Sequence, residues 1–597
     1  MNRFPKVICW VGHRGTGKTS LLARLKKKRP DWEFYDLDRC IEQSTGTSIE
    51  ALFKTRGEAH FRKLEIAELR RLVAQSSAKT KVIALGAGFE GKIPAHAACV
   101  WIRRQTDVRG RIFLDRPRLD NQTSPLSEYL SRFPTREHRF ESMADETLTL
   151  REGEETRDQE LLFFTEGYVQ LGGVLTLLPE NFRRNIQAFL KPRLEWGTSL
   201  FEIRDDLLSP KEIRQALKAL PADRVLFSFR KALGRHYEHP PENMMWDWDL
   251  DLGPVPSKLA PIVSLHASKK NETLTSFLRR LETGAPRYAI LKAAPIIRSF
   301  AELLEGHRWW QQDPEHRAFL PRSPEAGCVK WLWYRLLQKG KMPLTFWREA
   351  AGSAQDQPYL LQWADAPIKS SHFAAVLGDP VAHSRTPTEQ RDFFFERGMP
   401  CLAIPVSEAD WRAGAMDILT EMGLTHAAVT SPLKTLAYEH VRAEGGTNIH
   451  AESLCSVNTI VWDSFKRRWR GTSTDLQGFA TALREIPTWK ECAVWGGGGV
   501  LPIVKECLPR ASYYSAREGK LKSGPGAQNP DLVVWAAGRV TQMPPRDWKP
   551  RFVLDLNYFE DSPGRAYALS VGAKYVSGLS MFEAQAIEQR KFWGTAK

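Results

Sequence analysis

The sequence predicts an α/β protein of several domains, and three observations carry that expectation. The chain is 597 residues long, well beyond the roughly 100–200 residues of a single domain. An apolar strand from Lys6 to Val11 runs through the glycine-rich loop Gly12–Thr19 into a stretch of helical composition, Ser20 to Lys28. A second glycine run, Gly496–Gly499, again follows an apolar strand, and many short apolar segments alternate with charged ones between the two. Composition agrees: 42% hydrophobic and 26% charged residues are ordinary globular usage and exclude long disorder or a fibrous repeat. The 85 Lys and Arg against 70 Asp and Glu leave a net charge of +15, which suits nucleic acid, an acidic membrane surface or small anionic substrates alike. Eight cysteines form no C-x-x-C pair and no zinc-ligand spacing, so neither a disulfide framework nor a structural metal site is expected. The run Val7–Val11 is too short for a signal segment or a membrane span, and a cytoplasmic protein with reduced thiols is expected.

The first element is the phosphate loop. Gly12–Thr19 satisfies G-x-x-x-x-G-K-[ST] between a strand and a helix, the context in which backbone N–H groups wrap a phosphate. Gly12, Gly15 and Gly17 shape the loop, Lys18 is expected to neutralise phosphate charge, and Thr19 to hold Mg²⁺ through its hydroxyl. Downstream, Asp36-Leu37-Asp38 ends a strand in two carboxylates, and Arg62 and Glu65 stand one helical turn apart. With these residues the segment resembles shikimate kinase. The resemblance implies ATP and Mg²⁺ as cofactors, with Asp36 near the metal and Asp38 as substrate ligand and base. It further implies Arg62, Gly86, Gly88 and Arg136 at the shikimate site and Arg116 over the nucleotide. Ala87 and Phe140 stand where that family has glycine and tyrosine.

The second stretch, Ser199 to Trp363, shows short strands ending in Glu202 and Arg204, Arg230, His266, and Lys292. A lysine inside an apolar strand either reaches outward or loses its proton readily enough to act as a Schiff-base nucleophile. This order resembles type I 3-dehydroquinate dehydratase, a (β/α)8 barrel with its chemistry at the C-terminal strand ends. By resemblance Lys292 forms the imine, His266 moves protons, and Glu202 positions His266 and substrate. Arg204, Arg230, Arg335, Ser353 and Gln357 then bind the substrate. Only 36 residues separate Arg230 from His266, so a shortened barrel with missing or vestigial helices is expected there.

The third stretch begins at the strand Phe373 to Leu377. Ser384 and Thr386, then Thr430 and Lys434, then Asn458 and Asp475 occur in segments that resemble shikimate dehydrogenase. The resemblance makes Lys434 and Asp475 the catalytic pair, adds Tyr558 and Gln585 to the shikimate site, and implies NADP(H). Gly496, Gly498 and Gly499 match the dinucleotide turn, Gly578 adjoins the cofactor, and Arg517 and Lys520 follow the next strand where a 2′-phosphate would lie. The short interval from Arg517 to the strand Leu532 to Trp535 predicts a truncated Rossmann lobe.

The expected organisation is therefore a P-loop kinase-like domain (1–180), a dehydratase-like barrel (181–368) and a two-lobed dehydrogenase-like domain (369–597). The last divides into a substrate lobe to about 480, an NADP lobe to about 575 and a returning C-terminal helix. Kinase, dehydratase and dehydrogenase in this order are similar to the C-terminal part of the fungal pentafunctional AROM polypeptide. The resemblance implies a multifunctional shikimate-pathway enzyme acting on 3-dehydroquinate, 3-dehydroshikimate and shikimate, with neither nucleic acid nor membrane as partner, and it leaves a homodimer open. Two alternatives are a metabolite-sensing regulator resembling the quinate-pathway repressor and a fusion with one inactive domain. Retention of Lys18, His266, Lys292, Lys434 and Asp475 favours the enzyme.

Overall fold

The computed structural model describes residues 6–104, 125–150, 171–183, 185–195, 197–231, 244–256, 261–266, 269, 271–325, 328–348, 352–366, 370–381, 384–390, 393–394, 396–538, 542–557 and 562–594. The chain divides into two units, Met1–Gly167 and Tyr168–Lys597.

In the first unit five parallel strands lie in the order β2-β3-β1-β4-β5, namely β1 (Val7–Val11), β2 (Glu33–Asp36), β3 (Lys81–Ala84), β4 (Ala97–Arg104) and β5 (Glu146–Leu150). All five residues of β1 are buried, as a central strand covered on both faces requires. Helix α1 (Lys18–Lys28) leaves the loop after β1; α2 (Leu37–Thr45), α3 (Ile49–Ala74) and α4 (Pro125–Met143) follow. Strand order reverses around β1, so the loops at the carboxyl ends of β1 and β3 open onto one crevice.

The second unit opens with an eight-stranded parallel sheet in the order β12-β11-β10-β9-β8-β7-β6-β13. Its strands are β6 (Val174–Thr176), β7 (Leu200–Arg204), β8 (Val225–Phe229), β9 (Met245–Asp249), β10 (Ile262–Leu265), β11 (Ile290–Ala293), β12 (Arg317–Phe319) and β13 (Phe346–Trp347). From β6 to β12 each strand neighbours its successor, and the last, β13, lies beside the first. β11 and β13 are six places apart, a separation of nearly 30 Å in a flat sheet at about 4.8 Å per strand. Yet Lys292 Nζ on β11 sits 4.7 Å from the centre of the Phe346 ring on β13, so the sheet is curled around its own interior. Among the described residues β12 and β13 share no ladder and the curl stays open there. The sheet takes in Val174–Thr176, ahead of the boundary expected at 181, because a three-residue strand leaves no periodicity to read.

Helices α5 (Ile186–Glu195), α6 (Pro210–Ala219), α7 (Leu274–Gly284), α8 (Phe300–Gln311) and α9 (Leu332–Leu337) occupy most of the crossovers. Between β9 and β10 the described residues hold only a 3-10 turn, Leu250–Leu252, and between β8 and β9 the described residues are Arg230, Lys231 and Met244. Here aromatic side chains pack on one another outside the strands: Phe229 stacks on Trp246 with ring centres 5.0 Å apart, flanked by Phe227 and Trp248.

The remainder of this unit forms two further sheets. The first has the order β15-β14-β16-β17-β18, from β14 (Phe373–Gly378), β15 (Cys401–Pro405), β16 (Leu424–Val429), β17 (Thr459–Asp463) and β18 (Arg468–Thr472). The second has the order β21-β20-β19-β22-β23-β24, from β19 (Cys492–Gly496), β20 (Ser512–Tyr514), β21 (Leu521–Ser523), β22 (Leu532–Ala536), β23 (Phe552–Asp555) and β24 (Lys574–Ser577). β21 turns back antiparallel on β20, so a short edge strand stands where a crossover helix and parallel strand would complete that half of the sheet. Helices α10 (Ala415–Glu421), α11 (Lys434–Ala443), α12 (Asp475–Arg484), α13 (Leu501–Cys507) and α14 (Leu579–Trp593) accompany them. α14 returns from the second sheet to pack along α12, and Trp593 Nε1 donates to the Ile460 carbonyl of the first sheet. Lys330 pairs with Asp410 at 2.8 Å and Trp333 packs against Phe373, joining the curled sheet to this region.

Candidate functional site

Three groups of sequence-predicted residues each converge within their own part of the fold. In the first unit the loop after β1 carries Gly12 at φ +151, where an added Cβ would stand 2.3 Å from the Ile102 carbonyl oxygen, so only glycine fits. Gly15 and Gly17 also adopt positive φ. Lys18 Nζ donates to the Gly12 and His13 carbonyls at 2.7 and 3.1 Å, and Thr19 Oγ1 donates to Asp36 Oδ2 at 2.8 Å. A hydroxyl beside a carboxylate at the end of a phosphate loop is the oxygen donor set a small divalent cation takes. Asp38, on the first turn of α2, is raised to about 6 by burial and by Asp36, against the opposing pull of Lys18 and Arg62. Its Oδ1 is buried without a hydrogen-bond partner, as is Glu65 Oε1. Both face Gly86, whose added Cβ would meet them at 3.2 and 2.5 Å. Arg62 donates to Glu65 at 2.5 Å and Glu58 at 2.7 Å, and lies so close to Gly88 that an added Cβ there would fall 2.1 Å from its Nη2. Arg136 stands among Arg132, Arg62 and Glu58; burial and then the neighbouring guanidiniums lower it to about 10. A cluster of neighbouring arginines beside a buried carboxylate is suited to bind an anion. Phe140 is buried against Trp101 and the His13 ring. Arg116 lies outside the described residues.

Inside the curled sheet one polar network runs from strand to strand. Gln357 Nε2 donates to Ser353 Oγ, which lies 3.0 Å from Thr176 Oγ1. Thr176 and Ser228 each donate to Glu202, at 2.6 and 2.8 Å. Lys292 Nζ is 2.7 Å from Asp247 and 3.4 Å from Glu202, and Arg230 bridges Asp247 and Asp249 at 2.7 and 3.1 Å. Burial works to raise Glu202, but Lys292, Arg204 and Arg230 overcome it and bring the carboxyl down to about 2; Asp247 is likewise driven well below the usual carboxylate range, by Arg230 and Lys292. His266 is lowered to about 4 by burial, with Arg230 and Lys292 adding to the effect and Asp249 opposing it. The imidazole is therefore neutral at pH 7 and available as a base.

Two expectations for this interior are corrected by the geometry. The partner of His266 is Asp249, whose Oδ2 lies 3.0 Å from Nδ1, whereas Glu202 spends its oxygens on Thr176, Ser228 and Lys292. Arg335 is buried in α9 and donates to the Leu320 and Pro321 carbonyls, so its guanidinium caps the end of β12 and stays out of the network. Arg204 pairs with Asp206 at 2.7 Å, at the margin of the interior. The arginine that does reach His266 is Arg322, which donates to the His266 and Ala294 carbonyls. Arg322, Asp247 and Asp249 were missed by sequence reasoning. The available signal for the carboxylates was Met245-Trp246-Asp247-Trp248-Asp249, an alternation that turns charge to one face and aromatic rings to the other.

In the two-sheet region a cavity of about 220 Å³ opens between the sheets. Ser384, Thr386, Thr430, Lys434, Asn458, Asp475, Gln585 and Gly578 all line it, with Met581 and Phe582 adding an apolar wall. Lys434 Nζ donates to Asp475 Oδ2 at 2.6 Å and Gln585 Nε2 to Oδ1 at 2.7 Å, so both oxygens of the buried carboxylate are held. Asn458 is fixed by Thr474 and Thr459. The glycine turn follows β19, with Gly496 and Gly498 at positive φ and open space beside Gly498 and Gly499. That room, ahead of α13, suits a pyrophosphate. Arg517 and Lys520 are exposed on the turn after β20, adjacent to β19. Tyr558 lies outside the described residues.

Residues 14–162 match the shikimate kinase family model. A shikimate kinase of Thermodesulfovibrio yellowstonii is 40% identical over 83 residues, 14% of this chain and 46% of that protein. A shikimate dehydrogenase (NADP(+)) of Syntrophobacter fumaroxidans is 30% identical over 140 residues, 23% of this chain and 46% of that protein. The chain thus spans a little under half the length of these curated relatives. Among solved structures, shikimate 5-dehydrogenase of Thermus thermophilus in complex with NADP(H) and shikimate is 23% identical, covers 37% of this chain and 93% of its own, and has a TM-score of 0.31.

Proposed function

We propose that the chain catalyses three reactions on one series of cyclic hydroxy acids: dehydration of 3-dehydroquinate, reduction of 3-dehydroshikimate and phosphorylation of shikimate at its 3-hydroxyl. The observation that carries this reading is that one chain, which holds both the phosphate-loop unit and the Lys434 cavity, is similar over residues 14–162 to shikimate kinase and over a further stretch of 140 residues to a shikimate dehydrogenase, enzymes named for the same metabolite. The Lys292 network, sited between them in the sequence, supplies the chemistry that would make the common precursor.

In the first unit Arg62 and Arg136 grip the substrate carboxylate, and Asp38 Oδ1 receives the proton of the attacking hydroxyl. Lys18 and the loop amides hold the phosphates of ATP. Thr19 and Asp36 would hold Mg²⁺, which supplies charge neutralisation when bound.

In the curled sheet the Lys292 amine adds to the substrate ketone, and loss of water gives an iminium. Glu202 and Asp247, already placed against Nζ, stabilise its charge. His266 removes the proton from the adjoining carbon, hydroxide leaves as water with a proton, and hydrolysis of the imine restores the amine. In the third site Lys434 gives a proton to the carbonyl oxygen as the carbon is reduced, and Asp475, clamped by Gln585, keeps the ammonium in place. NADPH supplies the hydride when bound, with Arg517 and Lys520 reading its 2′-phosphate.

The test supplies the purified protein with 3-dehydroquinate, then NADPH, then ATP with Mg²⁺, and identifies the product after each addition. Borohydride should trap substrate on the protein, and Lys292→Ala should abolish that adduct while NADPH-dependent reduction of 3-dehydroshikimate persists. A Lys292→Ala protein that still forms the adduct would sink the dehydratase proposal.

A further inference from the structure

Helix α4 presents two adjacent faces to two parts of the first unit. Arg132 and Arg136, four residues apart and so stacked on one face, stand against Glu58 and Arg62 of α3: Arg132 lies 3.6 Å from Glu58, and Arg136 shares the field of both Arg62 and Glu58. Phe133, Glu137 and Phe140, spaced i, i+4 and i+7, form the neighbouring face. All three close on one side chain of the phosphate loop. His13 stacks on Phe133 with ring centres 4.6 Å apart, meets Phe140 edge-on at 5.1 Å, and places Nε2 3.2 Å from Glu137 Oε1. The ring is 1% exposed, although it projects from a loop whose backbone is shaped for a ligand. Its own carbonyl accepts from Lys18 Nζ and Thr16 Oγ1. Glu137 also receives Arg103 of β4, through Nη2 at 2.9 Å.

Residues 136 and 137 are thus consecutive on one helix, two residues after its interior Pro134, the first standing among the arginines of the acid site and the second against the phosphate loop. We propose that Glu137, acting through His13, is a positioning residue that sets the acid site in register with the nucleotide loop, so that a nucleotide and a cyclic hydroxy acid each tighten the binding of the other. This rests on the kinase reading of the first unit. A shift of the phosphate loop on filling moves His13, and His13 carries α4, and with it Arg136, through Glu137 and the two phenylalanine rings. Coupling of this kind is reciprocal and separable from the affinity for either ligand alone.

Calorimetric titration of the full chain with ADP–Mg²⁺, with shikimate, and with each in the presence of the other tests it. In the unaltered protein ADP is expected to raise shikimate affinity by about fivefold or more. Glu137→Ala should leave each ligand alone within about twofold of the parent while the coupling factor falls towards 1, and Glu137→Gln, which keeps an oxygen facing His13, should retain part of it. Phe133→Leu gives the same reading should the alanine variant fail to fold. A coupling factor unchanged in these variants, or absent from the parent, overturns the proposal. A parent that binds neither ligand overturns the kinase reading itself, and the two failures are told apart by that control.

Discussion

Asp38 shows how much a single placement decides. An ordinary carboxyl loses its proton near pH 4, but burial beside Asp36 raises this one to about 6, despite Lys18 and Arg62. On the proposed role of Asp38 as base, kinase activity should fall as pH is lowered through about 6. Asp38→Asn should lower kcat by roughly 10²–10⁴-fold with a smaller change in the KM for shikimate, as initial rates across pH 5–8 would read. The same shift has a sign for stability. A folded-state value raised above the unfolded one favours folding at low pH, and that contribution is lost as pH rises through about 6. Asp38→Asn should therefore raise the melting temperature of the first unit at pH 8 and leave it nearly unchanged at pH 4, by scanning calorimetry. Glu202 is the reverse case. Lys292, Arg204 and Arg230 bring it to about 2, so its contribution is present at neutral pH and lost only as pH falls toward 2.

Among the elements, the curled sheet shows how aromatic rings cover the outer face of two neighbouring strands. Outside β8 and β9 the rings of Phe227, Phe229, Trp246 and Trp248 are all at most 5% exposed, and they pack on one another. Trp246→Ala should cost about 3–5 kcal/mol, measured by urea denaturation of the second unit, and should open the wall that carries Asp247 and Asp249. A loss below about 1 kcal/mol, the scale of a surface substitution, would mean that the rings do not hold this part of the sheet. The interior side of the same strands explains why its chemistry was only half legible. Glu202, His266 and Lys292 sit at strand ends and could be picked out by order along the chain. Asp247, Asp249 and Arg322 are isolated residues whose convergence depends on the curl, and spacing cannot tell whether a guanidinium turns inward, as Arg230 does, or onto backbone carbonyls, as Arg335 does.

For the molecule as a whole, the division at Gly167 predicts two thermal transitions. ADP with shikimate should raise one, NADP should raise the other, and a ligand moves only the transition of the unit it binds. Correspondingly, Lys18→Ala should abolish phosphorylation with the reduction step intact, and Lys434→Ala the converse, as paired assays on the same preparations would show. Within the second unit the Lys330–Asp410 pair, less than one-fifth exposed on either side, contributes more to holding the curled sheet against the two-lobed region than Arg308–Glu421, which is about half exposed and screened by solvent.

Part of the +15 charge is gathered locally, as in the Arg62, Arg132 and Arg136 cluster. By itself the sequence determined whatever is contiguous: the strand, glycine loop and helix around Lys18, the glycine turn at Gly496, and the short motifs carrying Thr430 and Lys434. Such motifs are legible because a few bonds of chain fix their geometry. Only the tertiary structure decided which distant residues meet. It set Lys292 against Asp247 across the curl, gave His266 to Asp249, turned Arg335 away, and brought His13 under α4. These pairings follow from the path of the sheet and the packing of helices, and no spacing along the chain encodes them.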